Sequence, residues 1–203
     1  MIFTSRARIV PAIVAFVMAA STVGNRSTAA EELPSDSVYR LDLSLVDQDA
    51  RASKLSDRRG GPVLIAMFYT SCQYVCPLII DTLQRTEHAL GDDERARLRV
   101  LLVSFDSKRD TPQVLKKVAE ERHLDLVRWT LTRTDAAGVR KLAAVLGVQY
   151  RAIANGDFNH SSLITLLNGG GHIVARSDRI GELDPELLAA VQHALAGAHG
   201  DGQ

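Results

Sequence analysis

The stretch VLIAMFYTSCQYVCP, residues 63–77, decides how this chain is read. Val63 to Tyr69 is a continuous apolar run without the polar alternation of a half-exposed strand, and it predicts a strand covered on both faces. The loop Thr70 to Cys76 follows, and a helix is expected to open at about Pro77, where a missing N–H is harmless in the first turn. Leu78, Ile79, Leu83 and Leu90 mark the apolar face of that helix. Cys72 and Cys76 therefore lie where a strand ends and a helix begins. Free N–H groups and the positive end of the helix dipole at such a place favour thiolate over thiol. Two cysteines four positions apart share one side of a helical turn, so both sulfurs reach one ion or each other.

Working outward, the chain alternates strand and helix patterns. Residues 31–37, EELPSDS, read as a linker, and Tyr39 to Val46 alternates like a half-buried strand. Val100 to Phe105 is a second buried strand. Thr111 caps a helix that starts at Pro112 and runs to about Arg122. A strand is expected over Val127–Leu131, and a helix over Asp135–Leu146 with Gly147 as its stop. Ser162–Asn168 and His172–Arg176 form a hairpin about the turn Gly169-Gly170-Gly171. Pro185–Ala196 is the last helix, and residues 197–203 are a tail. This order indicates a single α/β domain with helices on the faces of a sheet.

The first thirty residues stand apart. Arg6 and Arg8 precede an uncharged, mostly apolar stretch, Ile9–Ala20, and small residues follow, which is the layout of a secretory signal or an N-terminal anchor. Twelve residues fall short of the roughly 20 that span a bilayer. The whole chain carries 24 Lys and Arg against 24 Asp and Glu, a formal net charge of +0, which excludes a basic nucleic-acid binder. Residues 1–30 contain three arginines and no acid, so without them 21 bases face 24 acids and the exported domain is mildly acidic, net −3. Two cysteines among 203 residues also exclude a disulfide-dense scaffold. A bridge across so small a loop contributes less than the roughly 3 kcal/mol of a fifteen-residue loop, so stapling is a poor reason for this spacing. Redox exchange and soft-metal binding both require thiolates and remain as readings.

Two thiolates leave a soft metal short of ligands, and a histidine is the usual completion. His88 and His193 fall within amphipathic helices, His123 follows a helix end, His172 sits past a glycine turn and His199 is in the tail. His160, in GDFNHSS directly before a strand, is placed to point at the end of the first strand. Position alone leaves it open between a ligand and an exposed or capping loop residue.

Three segments together resemble the Sco/SenC family of thioredoxin-like copper proteins: VLIAMFYTSCQYVCP, then VSFDSKRDTP (103–112), then FNHSSLITLLN (158–168). The resemblance extends over residues 38–196. It implies a thioredoxin-like three-layer α/β fold with a central mixed sheet and an N-terminal strand extension. It implies copper, as Cu(I) or Cu(II), held by Cys72, Cys76 and His160. It further implies a monomer in the periplasm or another extracytoplasmic space, near or anchored to the inner membrane. There it would deliver copper to the copper A centre of a cytochrome c oxidase subunit, or exchange it with another copper protein, without nucleic acid. Asp106 and Asp110 match the acidic positions of the family's second segment. Asp110, beside Thr111-Pro112, is expected to belong to a helix-start turn, and Asp106 to make a supporting hydrogen bond near the site. The family commonly has Pro-Asp after the first cysteine, and this chain has Gln73-Tyr74; losing that carboxylate eases deprotonation of the sulfurs. The competing readings are a thiol:disulfide oxidoreductase, with Cys72 and Cys76 as a redox-active pair able to form a disulfide, and a peroxide-reactive Cys72 with Thr70 as hydroxyl donor.

Overall fold

The computed structural model describes residues 1–2, 33–154 and 157–197, so the expected leader beyond residue 2 and the expected tail beyond residue 197 lie outside the described residues. The described residues from Leu33 onward form one compact unit. Its centre is the strand read first: β3, Val63–Phe68, has all six residues buried. It runs parallel to β4 (Arg99–Ser104), which runs parallel to β5 (Trp129–Arg133). Antiparallel strands extend the sheet on both sides. β1 (Ser44–Asp47) pairs with β5 and with β2 (Ala52–Lys54), while β8 (Ile164–Leu167) pairs with β3 and with β9 (Ile173–Ser177). The order is β2-β1-β5-β4-β3-β8-β9, a mixed seven-stranded sheet. Every residue of β8 is buried as well, as expected when helices cover both faces.

The helices follow their sequence signals. α1 spans Val75–His88 and α3 spans Pro112–Glu121, where Thr111 accepts a hydrogen bond from the Val114 N–H. α4, Ala136–Leu146, begins with the Asp135 carboxylate accepting from the Gly138 N–H at 2.6 Å and ends at Gly147, which has φ 79°. α5, Pro185–Gly197, is started by Asp184, whose carboxylate accepts from the Glu186 N–H and from Ser177 Oγ. Gly171, at φ +84°, turns the β8–β9 hairpin against Ser37 and Tyr39, where an added Cβ would lie 2.5 Å from Ser37 Oγ and from the Tyr39 ring.

Four expectations shift. Tyr39 to Val46 is not one strand: Val38–Arg40 is a 3-10 turn, and only Ser44–Asp47 pairs. The third parallel strand starts at Trp129 rather than Val127, because the Asp125 carboxylate takes the Val127 N–H and the Asp125 carbonyl takes those of Arg128 and Trp129. α1 starts at Val75, two residues before Pro77. The segment around His160, expected as a loop, is a strand: β7 (Phe158–His160) pairs with β6 (Tyr150–Ala152) in a separate two-stranded ribbon. β2, β6 and α2 (Asp92–Arg97) had no counterpart in the sequence pattern.

Candidate metal centre

At the carboxyl end of β3 the sheet opens into the loop that carries both cysteines, the position where α/β sheets characteristically place their sites. Cys72 is half-buried and Cys76 is 2% exposed, on the first turn of α1. The ribbon brings His160 to them from 84 residues along the chain. His160 Nε2 lies 3.8 Å from Cys76 Sγ, and the ligand atoms of Cys72, Cys76 and His160 all fall within 4.8 Å of one another. An ion bonded to sulfur at about 2.3 Å and to nitrogen at about 2.0 Å holds three coplanar donors roughly 3.7–4.0 Å apart. The Cys76–His160 pair already has that spacing.

The imidazole is oriented by its other nitrogen. Nδ1 sits 3.1 Å from the Ser161 carbonyl oxygen, which accepts only from a protonated nitrogen, so Nε2 is left as the lone-pair donor facing the sulfurs. The ring is packed by aromatics. Phe105 lies 5.0 Å away, tilted at 47°, and Tyr69 meets it edge-on at 5.8 Å. Phe105 also stacks on Tyr150 at 5.2 Å, and Tyr69 meets Phe158 edge-on at 5.2 Å, so both main-sheet residues grip the ribbon. Tyr69 and Phe105 each follow the last residue of a parallel strand, and the Phe105 N–H extends the ladder to the Phe68 carbonyl at 2.8 Å. None of these four aromatics was singled out from the sequence. Their signal was position: the first residue past each buried run, and the period of two that joins Phe158 to His160.

The two cysteines are unequal. Burial works to raise the Cys72 thiol, but hydrogen bonds from the Cys76, Tyr74 and Val75 N–H groups and from the Cys76 side chain outweigh it and hold Cys72 below the ordinary thiol value. The Cys76 N–H lies 3.5 Å from Cys72 Sγ. This is the helix-start effect expected from sequence. Cys76 goes the other way. Burial pushes its thiol far up, and the negative Cys72 and Asp110 add to this against a hydrogen bond from the Tyr69 N–H. Both cysteines are free thiols. The Tyr69 hydroxyl, pushed up to about 12 chiefly by burial, stays protonated and reaches the Phe158 carbonyl at 3.5 Å.

The acidic pair exchanges its expected roles. Asp106 closes its own turn, accepting from the Arg109 backbone N–H at 3.1 Å and pairing with the Arg109 guanidinium. Asp110, fully buried, turns instead toward the cysteine loop and accepts from the Thr70 N–H at 3.0 Å, from Thr70 Oγ1 at 2.5 Å and from Ser104 Oγ. The Thr70 hydroxyl proton is therefore committed to Asp110 and is not offered to Cys72. The remaining histidines stand apart: His88, His123 and His193 are exposed, and His172 lies 3.0 Å from Asp36. His199 is outside the described residues.

The fold and donor set define a thioredoxin-like domain with a Cys-x-x-x-Cys plus His group at the carboxyl edge of its parallel strands. The chain belongs to the SCO1/SenC family, whose sequence pattern matches residues 32–196. A SCO2-like protein of Rickettsia felis is 28% identical over 137 residues, 64% of this chain, and the match spans just under two thirds of that relative's length, 64%. Among solved structures, a SCO1/SenC family lipoprotein from Bacillus anthracis superposes with a TM-score of 0.68 at 17% identity, covering 76% of this chain and 96% of the other. Bradyrhizobium japonicum ScoI with copper bound superposes with a TM-score of 0.60 at 24% identity, covering 75% of this chain and 96% of that one.

Proposed function

We propose that this protein is an extracytoplasmic copper metallochaperone in which Cys72, Cys76 and His160 hold one copper ion and pass it to the copper A centre of a cytochrome c oxidase subunit. The observation that carries this reading is the convergence of two sulfurs and a correctly oriented Nε2 within 4.8 Å of one another. Two thiolates and an imidazole are the soft set that suits copper. Copper is the cargo, and the chain's own groups do the rest. Cys72, the more acidic of the two thiols, receives the ion; Cys76 must give up a proton to join it; His160 closes the set through Nε2. A three-donor set leaves room for an acceptor's thiolate to bind while one of these ligands leaves, so transfer proceeds by ligand exchange. Among the described residues no helix is long and apolar enough to cross a membrane. Membrane association would rest on residues 1–30, as a cleaved signal or a retained anchor. Lipoprotein character in the Bacillus anthracis relative supports an extracytoplasmic, membrane-near location.

The test is copper loading of the reduced chain. About one Cu(I) per chain is expected, and Cu(II) should give a sulfur-to-copper charge-transfer band; His160→Ala should weaken both. Unchanged copper binding by His160→Ala removes His160 from the site.

The unequal thiols support a second reading, a thiol:disulfide oxidoreductase that prepares acceptor cysteines for metallation. The half-buried Cys72, the more acidic of the two thiols, attacks as thiolate one sulfur of an acceptor disulfide, forming a mixed disulfide and releasing one acceptor thiolate. Cys76, on losing its proton, attacks the Cys72 sulfur and releases the second, leaving Cys72 and Cys76 bridged and the acceptor reduced by two electrons. This activity would survive His160→Ala and be lost in Cys72→Ser. The peroxide reading loses its hydroxyl donor, because the Thr70 proton points to Asp110.

A further inference from the structure

Asp110 is a carboxylate with no solvent exposure, and its place is not explained by the helix it precedes. α3 already has its cap in Thr111, and the turn before it is already closed by Asp106, which takes the Arg109 N–H. Burying a carboxylate is costly unless its oxygens are hydrogen-bonded. Asp110 meets that requirement only by reaching across to Thr70, on the cysteine loop, and to Ser104, at the end of β4. Both Thr70 groups are used, the backbone N–H and the side-chain O–H, which fixes the Tyr69–Thr70 peptide in position and orientation.

Tyr69, whose carbonyl belongs to that peptide, meets all three ligand residues. The Tyr69 carbonyl accepts the Cys72 N–H at 3.3 Å, and the Tyr69 N–H points to the Cys76 sulfur. The Tyr69 ring shoulders His160 and Phe158, and its hydroxyl reaches the Phe158 carbonyl. We propose that Asp110 is a positioning residue of the copper centre: by pinning Thr70 it holds Tyr69 where the two sulfurs and the imidazole meet, without touching the ion. This rests on the copper reading above.

The experiment compares the parent chain with Asp110→Asn, Thr70→Val and Thr70→Ser, by competition for Cu(I) against a chromophoric chelator, by the Cu(II) charge-transfer band, and by amide hydrogen exchange of the metal-free protein. Asp110→Asn should weaken Cu(I) binding by about 10- to 100-fold, the loss typical of removing a partner that orients a ligand. It should also shift the charge-transfer band and speed exchange at the Thr70 amide. Thr70→Val should lose about tenfold, while Thr70→Ser, which keeps both hydrogen bonds, should match the parent. An Asp110→Asn chain that binds Cu(I) within about twofold of the parent with an unshifted band overturns the inference, whatever its melting temperature. If Asp110→Asn does not fold, the threonine pair decides: equal affinities for Thr70→Val and Thr70→Ser overturn it. A parent chain that binds no Cu(I) overturns the copper reading and this inference together, whereas a binding parent with an equally binding Asp110→Asn overturns this inference alone.

Discussion

The Cys72, Cys76 and His160 group is assembled from two unlike halves. The sulfur half is local in sequence, Cys72 to Cys76, and grows from a fully buried strand, with Asp110 tying its loop to β4. The imidazole half sits on a ribbon of two three-residue strands outside the main sheet. A two-stranded hairpin is marginal alone in water, so this one depends on Phe105 and Tyr69 for its place. The sulfur half is held by the core's hydrogen-bond ladder, and the imidazole half by the packing of rings. One half is tied into the core of the sheet, and the other is held from outside it. Tyr74, between the cysteines, is 84% exposed.

The sharpest way to break this contrast is to remove donors one at a time. Cys72→Ser or Cys76→Ser should abolish measurable Cu(I) retention, well beyond the roughly 10- to 100-fold loss that follows removal of a supporting partner. His160→Ala should leave weakened binding by the remaining thiolates. Equal losses in all three variants, measured by chelator competition, would show that the halves are energetically alike.

The sulfur half is itself uneven, and pH reads the difference. Cys72 is held below its ordinary thiol value by hydrogen bonds, and burial pushes Cys76 far above its own. Near neutral pH, iodoacetamide should therefore modify Cys72 and spare Cys76 in the metal-free protein, as mass spectrometry of the two peptides will show. Because Cys76 must shed a proton to bind, apparent Cu(I) affinity should rise with pH across the neutral range. For the metal-free fold the sign reverses at Cys76. The unfolded thiol ionises near pH 8.5 while the folded one keeps its proton, so this group's contribution to stability falls as pH rises above about 8.5. Alkylation at equal rates would mean that burial and helix start do not separate the pair.

The two halves were also unequally legible. The run Val63–Phe68 announces a buried strand, and all six residues are buried. Asp135, Thr111 and Gly147 carry cap chemistry that needs no tertiary partner, and each performs as its residue type requires. The ribbon was not legible, because three residues are too few for alternation to stand out, and its strands are fixed by Phe105 and Tyr69 from elsewhere in the chain. α2 was hidden for the opposite reason. It buries nothing, and its support is electrostatic: Asp92, Asp93 and Glu94 in its first turn, Arg95 and Arg97 in its last. Asp106 and Asp110 show a further limit. Spacing placed both near the strand end, but which carboxylate turns inward depends on the hydroxyls of Thr70 and Ser104.

Phe105→Ala tests the packing of the imidazole half directly. Phe105 is 4% exposed, and truncating a buried phenylalanine costs about 3–5 kcal/mol. Part of that loss belongs to the core and part to the ribbon. The expected signature is a lower melting temperature together with weaker copper binding. Amide exchange should accelerate at residues 150–152 and 158–160 more than in β3. Uniform acceleration across β3 and the ribbon would place Phe105 in the core alone.

The smallest effect isolates the ribbon's hydrogen bonding from its packing. Ser161 contributes twice: its backbone carbonyl orients His160 Nδ1, and its hydroxyl accepts the Gln149 N–H at 3.0 Å. Ser161→Ala removes only the second. The Ser161 N–H still reaches the Gln149 carbonyl at 2.9 Å, so the strand pairing beside His160 is kept. The freed Gln149 N–H is exposed and finds water, so the loss should stay near the low end of the roughly 0.5–1.5 kcal/mol of an ordinary hydrogen bond. Cu(I) affinity should stay close to that of the parent, because the carbonyl that sets the histidine tautomer is untouched. A drop in affinity as large as that of Phe105→Ala would mean that the Ser161 hydroxyl bond to Gln149, and not the aromatic grip alone, keeps His160 in reach of the sulfurs.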